Sequence, residues 1–137
     1  MMTPAAEPLS AQTRQHLRAV RDALLRLHKA LLDDERAAYE RIHGRVTPAR
    51  LLELLLTDPW FAWLRTVSGM VVRMDESLAP RSAATEQEGL QLVRLVRETI
   101  MPDENGFGFG VKYHVAVQRE PAVLLAHCTL RKLLPAP

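Results

Sequence analysis

Apolar residues recur three and four apart over most of the chain, and start signals divide that pattern into helices. The first run spans Ser10 to His43, carries Leu17, Val20, Leu24, Leu31 and Ile42 on one side, and stops at Gly44. Thr47–Pro48 opens a second, short helix whose body, Leu51 to Leu56, is apolar around most of its circumference. Such a helix is expected to be covered on more than one side, by this chain or by another copy. Asp58–Pro59 repeats the start signal and opens a third helix with Trp60, Leu64, Val67, Val71, Met74 and Leu78 as its stripe. Thr85 and Glu88 match a capping box, opening a fourth with Leu90, Val93, Val96 and Ile100 inward. Pro102 to Gly106 breaks it, Phe107 to Gln118 reads as a short helix, and Glu120–Pro121 begins the last, with Val123, Leu130 and Leu134 inward. No stretch alternates with period two long enough to argue a sheet. The expectation is an all-α protein: a helical bundle of four main helices with one or two short additional ones. Residues 1–9 form a flexible N-terminus and 10–137 a single domain.

Polar residues interrupt the first helix's apolar side. At about 100° per residue, His28, Glu35 and Tyr39 fall within roughly 40–60° of the direction set by its leucines. A seam that only had to be apolar would not hold an imidazole and an acid, so these groups either find partners on other helices or form a site. His28 and Glu35 lie about 10.5 Å apart along the axis, too far to share one metal ion comfortably. Asp75, Tyr113 and His127 are the candidates to complete the set from other helices. A hydrogen-bonded network that fixes helix register is the preferred reading, because buried polar groups must be paired. A metal or small-ligand site in the bundle core is the alternative. Glu40 and His43 have Glu-x-x-His spacing, but only one such pair is present and Glu40 points about 140° from the core direction. They read as surface residues, and Asp22–Arg26 and Arg36–Glu40 as solvated pairs four apart.

Composition narrows the function classes. The 137 residues are 47% hydrophobic and 25% charged, with 18 basic side chains against 16 acidic ones, as in an ordinary globular domain. The arginines spread around the first helix among acids, which argues against nucleic-acid binding. The single Cys128 excludes an intrachain disulfide or a cysteine cluster. No run approaches the roughly 20 apolar residues of a membrane span, and Met1 to Leu9 lacks signal-peptide character, so a cytoplasmic, membrane-free protein is expected. The glycine-rich stretch from Asn105 to Gly110 follows a helix rather than a strand and reads as a turn, not a phosphate loop.

Both tryptophans and one of three phenylalanines stand within Asp58 to Arg65. Aromatics at helical spacing are mostly core, but Trp60, Phe61 and Trp63 cannot all face one way, and one of them is a candidate for a partner surface. With Leu52 and Leu55 they form the expected contact of a homodimer, against the alternative of a monomer that encloses the second helix itself. The segment Asp-Pro-Trp-Phe-Ala-Trp-Leu-Arg at 58–65, with Asp75-Glu76, Leu27 to Leu32 and Tyr39 to Arg41, resembles a group of small uncharacterised bacterial helical proteins. That resemblance implies an all-helical fold and a bacterial origin, and no activity. No catalytic residue set can be assembled from motifs, and no cofactor is expected. The reading is a non-enzymatic interaction or regulatory bundle with a second copy or an unidentified protein as partner. The alternative is a metal- or small-ligand-binding bundle using His28, Glu35, Asp75 and His127.

Overall fold

The computed structural model describes residues 6–135 and is all-helical, with no strand among them and a single bridge between Pro8 and Thr85. Six α-helices follow in order: α1 (Ala11–His43), α2 (Pro48–Thr57), α3 (Arg65–Leu78), α4 (Glu86–Thr99), α5 (Phe109–Arg119) and α6 (Pro121–Leu133). Four of the six starts, those of α1, α2, α4 and α6, rest on a side-chain cap. Ser10 accepts from the Thr13 amide, Thr47 from Arg50 and Glu120 from Ala122, and Thr85 and Glu88 close a reciprocal capping box. Gly44, at φ 84°, ends α1 in a backbone region that favours glycine.

The third helix departs from the expected form at its start. Asp58 caps the Trp60 amide at 2.8 Å, but Pro59–Leu64 is a 3-10 segment that passes into α3 at Arg65. At three residues per turn, positions i and i+3 eclipse. Phe61 and Leu64 therefore share one side while Trp60 and Trp63 share another. The tighter turn resolves the conflict among the three rings: Phe61 and Trp63 are buried, and Trp60 keeps a half-exposed edge.

α1 is the central element and packs chiefly against α6, α3 and α4. Leu17, Val20, Leu24, Leu27 and Leu31 are fully buried, facing Val67, Met74, Val93, Val96, Val123 and Leu130 in one core. The core face drifts at both ends of the expectation. Ile42 is 68% exposed, because the end of α1 turns Tyr39 and His43 rather than Ile42 toward Trp60. Leu90 is 48% exposed, because Gly89, Leu92, Val93 and Val96 form the inward stripe of α4. Of the expected N-terminal tail, residues 1–5 lie outside the described residues, whereas Glu7 to Leu9 are tied down. The Glu7 carbonyl accepts from the Glu86 amide at 2.9 Å, and Leu9 is buried over Gly89. No helix among the described residues is long and apolar enough to cross a membrane.

Candidate functional site

The polar residues expected to converge in the core are instead parted into five places. Glu35 lies beside Asp34 at the α1–α5 contact, where Arg119 reaches both: Nη2 is 2.7 Å from Asp34 Oδ2 and 3.0 Å from Glu35 Oε1. The two acid side chains are only 8% and 13% exposed, so one guanidinium bridges a nearly dry pair of carboxylates. The same hydrogen bonds, those to Asp34 first, raise the Arg119 pKa. Tyr39 is buried in a ring cluster with His43 at 4.3 Å and with Trp60 and Phe61 at 5.5 Å. Asp75 is at the surface, accepting from Arg21 Nε at 2.8 Å. Tyr113, fully buried, meets His127 Nδ1 at 2.6 Å between α5 and α6. Burial raises the Tyr113 pKa, and it lowers that of His127 together with the nearby Arg131 charge.

His28, Glu35, Asp75 and His127 thus do not meet, and no group of three or more histidine, cysteine or acidic side chains among the described residues could hold a metal ion. Glu35 and His127 have the partners a structural network requires, and so does Tyr113. The Glu-x-x-His pair is structural too. Glu40 accepts from the Val46 amide at 2.8 Å, securing the turn between α1 and α2, and it also meets Arg36 at 3.7 Å. Asp22 pairs with its neighbour Arg21 rather than Arg26.

Among the described residues His28 has no such partner on either ring nitrogen, and neither do the buried Nε1 atoms of Trp60 and Trp63. The His28 ring borders a cleft of about 430 Å³ between α2 and α3. Leu55, Phe61 and Leu64 line the interior with His28, while Leu52, Leu56 and Val72 line the cleft at 59%, 69% and 53% exposure. Ser68, Gly69 and Arg65 complete it. The volume falls within the roughly 300–1,000 Å³ of small-molecule sites, and the lining is of the same character, apolar with a few polar groups. Burial lowers the His28 pKa, which keeps the ring neutral near pH 7 with one N–H donor and one acceptor.

The contact surface expected from sequence divides along the same line. Leu52 and Leu55 border the cleft and Trp60 keeps its edge, but Phe61 and Trp63 are core residues: Phe61 forms the cleft's inner wall, and Trp63 packs on Phe109 at 5.6 Å. α2 buries only Leu51 and Leu54, so this chain covers one of its sides and leaves the other open. Arg65, Ser68, Gly69 and Val72 were not apparent as site residues in the sequence. The available signal was Gly69, a helix-breaking residue in mid-helix with no turn to make. No family model matches the chain, and no curated protein or solved structure is significantly similar to it.

Proposed function

We propose that this protein is a non-enzymatic binding bundle whose site is the α2–α3 cleft, filled by the apolar part of a small ligand. The observation that carries the reading is the pairing of an open apolar cleft of about 430 Å³ with a histidine that no protein group satisfies. Glu35 is occupied by Arg119, Asp75 by Arg21 and His127 by Tyr113, which supports a binding role over catalysis: among the described residues no nucleophile, base and orienting group stand together. A second copy of the chain is the weaker occupant. Leu52, Leu56, Val72 and their neighbours form a patch far smaller than the roughly 20–30 residues per side of a stable dimer.

Gly69 provides the test. A Cβ added there meets nothing within 4 Å, so Gly69→Leu is expected to extend its side chain toward the cleft and leave the fold in place. Equilibrium dialysis with 1-decanol is expected to show one saturable site, weakened about tenfold or more in Gly69→Leu at undiminished thermal stability. Light scattering is expected to give a monomer. A dimer dissociated by Leu52→Glu, with no decanol bound by the parent chain, would replace the ligand with a second copy.

A further inference from the structure

We infer that the cleft selects an amphipathic anion, an apolar chain or ring ending in a carboxylate, with Arg65 as its charge partner. The inference rests on the proposed cleft-binding reading and adds the ligand's chemical class. Three observations carry it.

The first is charge. His28, Arg65 and Ser68 are the polar side chains of the lining, and neither aspartate nor glutamate is among its residues. An apolar ligand with a negative end meets a complementary site, and one with a positive end meets Arg65 uncompensated.

The second is the way Arg65 is held. Its Nε donates to the Leu55 carbonyl at 3.2 Å, which ties the guanidinium to the C-terminal part of α2 beside the cleft. No carboxylate pairs with it, and among the described residues its two terminal nitrogens have no acceptor. The unused edge offers the parallel N–H groups that suit a carboxylate. By contrast, the arginines that bond acids across the fold, Arg21 and Arg119, have their charge answered. Ser68 makes only a long bond, 3.4 Å, to the Arg65 carbonyl, and its hydroxyl is able to turn to a ligand.

The third is Gly69. Glycine in a helix interior is less stable than alanine, and the two helix-interior glycines of this kind have different explanations. Gly89 of α4 admits Leu9, Thr13 and Leu17, which a Cβ would meet at 2.5, 3.1 and 3.3 Å. Gly69 of α3 admits no atom of this chain. The space that its missing side chain leaves belongs to the cleft, next to Ser68 and one turn from Arg65, where the head of a ligand would lie.

The test compares three probes with one chain length, 1-decanol, decanoate and decyltrimethylammonium, below their micelle concentrations, by equilibrium dialysis at low salt. Decanoate is expected to bind about tenfold tighter than decanol, the range of a charge-assisted hydrogen bond at a partly exposed site. Decyltrimethylammonium is expected to bind more weakly than decanol. Arg65→Gln is expected to remove the preference for decanoate, read as the ratio of decanoate to decanol affinity within that variant falling to about one. Equal binding of decanol and decanoate, or a decanoate preference that survives Arg65→Gln, overturns the anion inference and leaves the cleft reading standing. Binding of none of the three by a folded parent chain overturns both.

Discussion

The two glycines in helix interiors divide the molecule into a closed side and an open one. Around Gly89 the packing is complete: Leu9 lies against the helix, Ser10 and Thr13 donate to Glu86, and those bonds, the Ser10 amide first, hold the Glu86 carboxyl below its ordinary pKa. Around Gly69 the same kind of helix runs beside empty space, and three large apolar side chains are left in water. Closure follows from what lies opposite. α4 faces α1 and the segment entering it, whereas across the cleft from α3 lies α2, a ten-residue helix that packs on the 3-10 segment Pro59–Leu64 instead. Substitutions on the closed side should therefore change stability, and those on the open side should change binding.

The largest effect is expected at the α1–α5 contact. Arg119→Met strands Asp34 and Glu35 together and should cost about 2–3 kcal/mol, below the roughly 3–5 of a fully buried pair because Arg119 is 38% exposed. Urea unfolding measures it, and neutralising the acids in the Asp34→Asn/Glu35→Gln background should return most of the loss. Gly89→Leu comes next. Its side chain must displace Leu9 and crowd Thr13, which should cost about 1–3 kcal/mol in the same assay. Gly69→Ala, chemically the milder version of the same change, should instead stabilise by about 0.5–1 kcal/mol. Destabilisation by Gly69→Ala would mean that the open side is not open.

The smallest effect is a pH dependence. His28 and His127 have lowered pKa values in the folded chain, so below about pH 6.5 the unfolded chain takes up protons that the folded chain refuses. Their contribution is complete above that pH and is lost as pH falls through the lowered values. His28→Leu should make the acid limb of a Tm-against-pH curve shallower while leaving its neutral region little changed.

Helix boundaries were legible because capping is local chemistry, readable from Thr47–Pro48, Asp58–Pro59, Thr85–Glu88 and Glu120–Pro121 without any tertiary information. Faces were legible only where neighbours are regular. Leu90 is misplaced by a pattern that counts apolar side chains, because the residue that holds the inward position beside it is a glycine. The polar set on α1 was legible as unusual, but its partners lie far along the chain: Arg119 is 84 residues from Glu35. His28 was recognisable and its cleft was not, since a cleft depends on what α2 fails to cover, and no local spacing records that.

The central claim is that the open side binds and the closed side does not. A ¹H–¹⁵N correlation spectrum of the full chain titrated with decanoate tests it residue by residue. Saturable shifts are predicted at the amides of Leu52, Leu56, Ser68, Gly69 and Val72 and at the His28 ring, with the amides of Leu9, Thr13 and Glu86 unmoved. Shifts confined to any other surface, such as the loop around the fully exposed Phe107, would contradict it, as would a spectrum that decanoate leaves unchanged.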